Sequence, residues 1–350
     1  VSLLLSLVIV PGSAESTMTA VIAKRHGGPE VLEAARRPVP TPGPGEVRVQ
    51  VAYAGVNFID IYFREGSYPS QPPYVPGLEG SGIVESAGPG AELWVGRRVA
   101  FVHKGVGTYA EFAVLPASRL VPLGKEVDMA ASAGALLQGL TAQYLVADTA
   151  RLKANDTVLV HAAAGGTGRL VTQIAKLRGL RVIGTASTEV KAEVARASGA
   201  DSVIVGDYAS DFSTEARRLT GGQGVAAIFD GVGNSTFWRG FSCLRRRGAM
   251  VLFGASSGAP ASVDIAVLAR GSVTVMRPTL FDFIADDAEL ATRAAEVLGW
   301  VQAGKLDLSV TILQLAEAAE AHRRLAARET TGKLILQVSQ FRGKQVENEL

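Results

Sequence analysis

The chain contains a single cysteine, Cys243, among its 350 residues. That scarcity excludes an intramolecular disulfide and any zinc site built from several thiolates of one chain, and it points to a reducing compartment, hence the cytoplasm. Cys243 itself reads as a small buried hydrophobe. Histidine is also scarce: His26, His103, His161 and His322 lie too far apart for a short-range metal motif, so no metal is expected. No apolar run reaches the roughly 20 residues that a membrane-spanning helix needs. Charge of one sign forms no block either. The 35 basic and 33 acidic residues leave a net charge of +2, which marks neither a nucleic-acid tail nor an acidic partner. The densest cluster, Arg245-Arg246-Arg247, is short and lies just before an expected strand.

The two chain ends are set aside from the fold. Residues 1–10 are apolar and lead into Pro11-Gly12-Ser13-Ala14, a superficial likeness to a signal peptide, but no Lys or Arg precedes them. Met18-Thr19-Ala20-Val21 opens the first convincing strand, so residues 1–17 read as upstream sequence with Met18 the natural start. Residues 340–350 are polar without periodicity and read as a disordered tail.

What is present is apolar: 47% of residues are hydrophobic and 19% charged, enough for a large core divided between two globular units. From Met18 to about Ser118, short β-like runs at 20–24, 46–54, 82–86, 98–102 and 111–115 are separated by Gly/Pro turns. From about Ala130, Ala- and Leu-rich helical spacing takes over, and strands then alternate with helices to about Met276. Strands are expected at 157–161, 181–185, 202–205, 226–230, 250–254 and 272–276, and helices at 168–178, 189–198 and 213–219. This is the pattern of a doubly wound parallel α/β sheet. Helices at 288–303 and 315–327 and a strand at 333–338 follow, the strand returning to the first unit.

Strand 157–161 runs into Ala162-Ala163-Ala164-Gly165-Gly166-Thr167-Gly168 and directly into a helix. Small residues there let the backbone turn sharply and approach a pyrophosphate, whose charge meets the free N–H groups and positive end of the helix dipole. A dinucleotide is therefore expected on Ala164, Gly165, Gly166, Thr167 and Gly168. About 20 residues beyond the first glycine, an Asp or Glu would hold the ribose of NAD. Here the chain reads Gly184-Thr185-Ala186-Ser187, with Lys191 close by, which favours the 2′-phosphate of NADPH; Glu189 argues the other way. Lys191 read alone is equally a solvated helix charge.

The glycine-rich segment, together with Asn155-Asp156-Thr157-Val158-Leu159, Gln173 and Lys176, resembles the signature of the zinc-free quinone oxidoreductase/zeta-crystallin branch of the medium-chain dehydrogenase/reductase superfamily. Further similar blocks occur in family order: 26–32, Gly55-Val56-Asn57-Phe58-Ile59-Asp60, 64–69, Gln138-Gly139-Leu140-Thr141-Ala142, 229–233, Phe253-Gly254-Ala255-Ser256-Ser257-Gly258 and Arg277-Pro278-Thr279-Leu280. The segment Val205-Gly206-Asp207-Tyr208 carries an insertion against the family pattern, and the loop at 90–93 is short.

The resemblance implies a Rossmann NADP-binding domain at 136–276 and a GroES-like, mainly β catalytic domain at 18–135 and 277–339, with the active site between them. It places Asn57, Tyr62 and Thr141 at the nicotinamide, and Phe253, Gly254, Ser256, Arg328, Lys333 and Tyr208 along the cofactor. It also implies a homodimer, paired through the edge strand 272–276. Zinc-dependent relatives carry a cysteine ligand where Asn57 stands and Gly-His-Glu where this chain has Gly77-Leu78-Glu79. Without a Lewis acid, alcohol oxidation is disfavoured. A quinone needs only a positioned hydride and a hydrogen bond to the developing oxyanion, for which Asn57 and Tyr62 are suited.

The residues also admit plainer roles. Asn57 could satisfy a turn, Tyr62 could be a core aromatic, and Arg64 reads as a solvated or structural charge rather than a catalytic one. Three functions follow: an NADPH-dependent quinone reductase, a reductase of α,β-unsaturated carbonyls such as enones, or a non-catalytic NADPH-binding structural or RNA-binding protein.

Overall fold

The computed structural model describes residues 16–207, 211–262 and 264–339. The expectations for residues 1–15, Tyr208 and residues 340–350 lie outside these described residues. In the strand Glu46–Gly55, Val47, Val49 and Val51 are spaced two apart and all are buried, the period of a strand with one face on a core. It is a central strand of a seven-stranded sheet ordered Val310–Gln314, Lys333–Gln337, Glu46–Gly55, Glu79–Ala87, Arg98–Val102 and Leu120–Pro122, with Phe112–Pro116 also paired to it. The C-terminal strand returns as expected, antiparallel to Glu46–Gly55 with Ile335 opposite Gly55. A separate ribbon pairs Thr17–Ala23 with Leu32–Pro38.

The second half forms a six-stranded parallel sheet ordered Ser202–Val205, Arg181–Ala186, Thr157–Val160, Val225–Asp230, Leu244–Leu252 and Thr274–Met276. Val225–Asp230 is buried along its whole length, as befits a strand covered on both faces. The strand order reverses between Thr157–Val160 and Val225–Asp230, and that switch point opens a crevice at the carboxyl ends of the strands. The fold is therefore α/β, a Rossmann sheet plus a mainly β unit drawn from both ends of the chain.

One helix joins the two. Met129–Asp148 begins where the Asp128 carboxylate accepts the Ala130 N–H at 2.8 Å, and it runs unbroken through the boundary expected at 135/136. It packs on the strand Glu79–Ala87 on one side and on the helices Gly166–Leu177 and Asp287–Gln302 on the other. Cys243 is fully buried, and burial pushes its thiol up to about 12, so it packs as a hydrophobe.

Candidate active site

A cavity of about 530 Å³ runs along the crevice between the parallel sheet and the β unit. One end is a cradle of small residues. After Thr157–Val160 the chain takes a left-handed step at Ala162, whose φ is 50°, and closes a tight turn with the Gly165 N–H donating to the Ala162 carbonyl at 2.9 Å. The helix then starts at Gly166, two residues earlier than expected, and no side chain caps it. Its first N–H groups therefore face the cavity unclaimed by a cap, where an anion is stabilised. A side chain at Gly168 would put its Cβ 2.3 Å from the Ala162 carbonyl oxygen, so the close helix–strand approach requires glycine there. Ala164, Gly165 and Thr167 complete this wall.

A basic corner adjoins the cradle. Thr188 caps the helix Glu189–Ala197 by accepting the Lys191 N–H at 3.3 Å, which turns Lys191 towards the cavity beside Ser187. The Lys191 ammonium donates to the Arg328 carbonyl at 2.7 Å, and Arg328 in turn donates to the Ser256 carbonyl at 2.9 Å. Glu189 does not line the cavity: its carboxylate is held by Arg196 at 2.5 Å. Phe253 and Gly254 line the opposite wall, where a Cβ at Gly254 would come 2.7 Å from the Gly231 carbonyl oxygen.

Aromatic and polar groups form the other end. Tyr62, on the helix Phe58–Glu65, accepts the Ala255 N–H at 3.0 Å and packs on Tyr68 with ring centroids 5.1 Å apart. Burial raises its phenol above the ordinary value, against the Ala255 hydrogen bond that lowers it. Its oxygen is an acceptor in the protein, leaving the O–H proton for a ligand. Thr141 also lines the cavity, but its hydroxyl donates to the Leu137 carbonyl at 2.6 Å, so it presents only lone pairs and a methyl group.

Asn57 uses its side chain beyond the helix start that it caps. Its backbone N–H donates to Asp60 at 2.8 Å, while its side-chain amide donates to Glu79 at 2.8 Å and accepts from Lys333 at 2.7 Å. Lys333, expected along the cofactor, does not line the cavity. Its ammonium is drawn inward by the buried Glu79 carboxylate, which also accepts the Leu137 N–H at 2.7 Å. Four elements thus meet on one ion pair.

Behind Asn57 lies a buried chain that the sequence reading did not assemble. The Tyr109 hydroxyl lies 3.4 Å from Asp60 and 3.1 Å from His322, and His322 lies 3.2 Å from Arg64. Arg64 is fully buried and also donates to the Gly27 carbonyl at 3.0 Å, so its role is structural and not solvated. Burial raises the Asp60 carboxyl to about 7, while burial and the nearby Arg64 charge push His322 down to about 3. Asp60, with its raised folded-state pKa, contributes stability that is present below about pH 4 and lost as pH rises towards 7. His322 has the opposite slope and masks it in the parent protein. The stability of Asp60→Asn relative to the parent should therefore rise by roughly 4 kcal/mol between pH 4 and pH 7, as urea unfolding at each pH would show. A pH-independent difference would contradict this assignment.

With this geometry in view, comparisons with known proteins are direct. The alcohol dehydrogenase GroES-like domain model matches residues 43–125, and the zinc-binding dehydrogenase model matches residues 166–296. A quinone oxidoreductase of Pseudomonas aeruginosa is 41% identical, with 89% of this chain and 97% of that protein covered. The chain belongs to the quinone oxidoreductase family of the medium-chain dehydrogenases/reductases, and it is an oxidoreductase. A 2-haloacrylate reductase of a Burkholderia species is 38% identical over 91% of this chain and 98% of its own length. Among solved structures, Escherichia coli quinone oxidoreductase complexed with NADPH superposes with a TM-score of 0.88 at 34% identity, covering 91% of this chain and all of that one.

The description of the second matched model names zinc, yet this chain does not offer zinc a fitting donor set. Asn57 and the buried Leu78 stand where zinc-dependent relatives carry ligands, and the Lys333 ammonium occupies the space beside Glu79. Among the described residues, no three His, Cys, Asp or Glu side chains group around a common point. Sequence reading also missed Gln138, which lines the cavity with a buried amide oxygen that has no partner among the described residues. The available signal was its place three residues before Thr141 in a helical run, hence on the same face.

Proposed function

We propose that this family member reduces quinones with NADPH, by hydride transfer and without a metal ion. The observation that carries the reading is one continuous cavity. It joins an uncapped helix N-terminus and the Ser187–Lys191–Arg328 corner at one end to the Tyr62–Asn57 pair and a wall of aromatic side chains at the other. NADPH bound there supplies a hydride from its nicotinamide C4. The N–H groups of Gly166, Thr167 and Gly168 hold the pyrophosphate, while Ser187, Lys191 and Arg328 surround the 2′-phosphate. Phe253, Gly254 and Ser256 line the path between. The Tyr62 hydroxyl donates to the acceptor oxygen that gains charge, and Asn57 directs its second amide hydrogen to the same region. Residues 136–276 act as the cofactor unit and the two chain ends as the catalytic unit. The open edge of Thr274–Met276, paired on one side only among the described residues, suits a homodimer, and the single cysteine suits the cytoplasm.

The deciding test is the decay of cofactor absorbance with NADPH or NADH and 1,4-benzoquinone. Rapid decay with NADPH supports the reading, and no decay with any acceptor overturns it. Tyr62→Phe should lower kcat about 10- to 100-fold with little change in the KM for NADPH. A loss below twofold in steady-state kinetics would reduce Tyr62 to a packing residue. The likeness to a 2-haloacrylate reductase favours a second reading, reduction of an activated carbon–carbon double bond, for which turnover of 2-cyclohexenone is the corresponding assay.

A further inference from the structure

We propose that the acceptor end of the cavity selects substrates carrying a carboxylate conjugated to the reducible double bond, and that Arg277 binds this carboxylate. The inference rests on the second reading above, reduction of an activated carbon–carbon double bond, and names its substrate class. Arg277 directly follows the last parallel strand, Thr274–Met276, and lines the cavity. Its guanidinium donates to two neutral acceptors, the Tyr68 hydroxyl at 3.1 Å and the Pro278 carbonyl at 3.4 Å. Arg277 is exposed; Arg98 and Arg217 likewise bond to backbone carbonyls, whereas three less exposed arginines are matched by carboxylates. Arg119 pairs with Asp287, Arg169 with Asp307, and Arg293 with both Asp148 and Glu289. Among the described residues, Arg277 has no carboxylate partner, although Asp282 lies close enough to act on the Tyr144 phenol.

The location of this unpaired charge is informative. Tyr68, which holds the guanidinium, packs on Tyr62, whose hydroxyl proton is free for the acceptor. Arg277 therefore stands one aromatic ring away from Tyr62, the proposed hydrogen-bond donor to the acceptor. Its charge also reaches the phenols of Tyr62 and Tyr144, both of which line the cavity. A planar guanidinium fork matches a carboxylate through two parallel hydrogen bonds, whereas a neutral quinone would leave most of its donors unused.

The pairing would also help the chemistry. An unsaturated carboxylate is a poor hydride acceptor because its negative charge opposes further electron density. A guanidinium on that charge lowers the opposition. The hydride adds to the β-carbon, the carbon–carbon π bond breaks, and its electron pair takes a proton at the α-carbon. One double bond, one hydride and one proton are consumed, and NADP⁺ and the saturated carboxylate are produced.

The test compares 2-chloroacrylate with its methyl ester as acceptors, with NADPH as donor. The ester is intrinsically the better hydride acceptor, so a higher kcat/KM for the acid is expected only if the cavity binds its charge. In Arg277→Gln the acid-to-ester ratio should fall about a hundredfold, and Arg277→Lys should restore part of it. A parent protein that prefers the ester, or a ratio that moves less than threefold, overturns the inference. Inhibition of 1,4-benzoquinone reduction provides a measurement that needs no variant: propionate should compete and propionamide should not, and equal effects count against Arg277. Benzoquinone turnover without acid discrimination rejects this inference alone. No NADPH oxidation with any acceptor rejects the hydride-transfer reading as well.

Discussion

Replacing Lys333 by methionine should cost about 3–5 kcal/mol of unfolding free energy, the penalty for leaving a buried carboxylate without its cation. Glu79 and Lys333 are both essentially inaccessible to solvent, so water cannot take over the charge. The loss also removes a donor to Asn57 and loosens the junction where Glu79 accepts the Leu137 N–H. Chemical denaturation is the measurement. The double variant Lys333→Met/Glu79→Gln should recover part of the loss, because a neutral amide removes the stranded charge while its single oxygen keeps one of the two hydrogen bonds that Asn57 and Leu137 donate to the carboxylate. If the single variant loses less than about 1 kcal/mol, the pair does not carry the burial that the structure gives it.

The second large effect concerns cofactor choice. Lys191→Ala should raise the KM for NADPH about 30-fold and leave the KM for NADH within about twofold, because about 2 kcal/mol of charge-assisted bonding to the 2′-phosphate is lost. The ammonium is presented by a capped helix and anchored on the Arg328 carbonyl, so it is placed before a ligand arrives. Parallel steady-state titrations with the two cofactors would measure it. Equal losses for both would move Lys191 from phosphate recognition to support of the loop at Arg328.

Elements with strong local signals were legible in the sequence. The strands Arg98–Val102 and Ser202–Val205 match their expected bounds, because β-branched runs there end at charges and glycine. The ribbon strand Leu32–Pro38 and the edge strand Val310–Gln314 escaped notice. Both are largely exposed and carry Ala, Arg, Thr and Gln where a buried strand would alternate apolar residues. The helix Phe58–Glu65 was hidden for a different reason. Its aromatic and β-branched residues suit a strand, and the outcome is decided by the Asp60 bond at its start and left-handed Gly66 at its end, where φ is 79°.

Legibility of the site follows the same logic. The glycine cradle and the Ser187–Lys191 corner are local in sequence and could be read as motifs. The Lys333–Glu79 contact joins residues 254 positions apart, and no spacing rule announces it. A family likeness placed Lys333 near the cofactor, but the buried carboxylate opposite it determines where the ammonium goes.

The helix Met129–Asp148 acts as a shared axle for the two halves. One hydrophobic core passes through it, with Val102 and Val121 of the β sheet, Leu136 and Leu140 of the helix, and Val158 and Val160 of the parallel sheet in a single cluster. The two crevice walls are therefore joined through a packed helix and not through a loop alone. Both walls of the cavity are thus tied to one packed core, and a volume change at Leu136 or Leu140 reaches the site through packing.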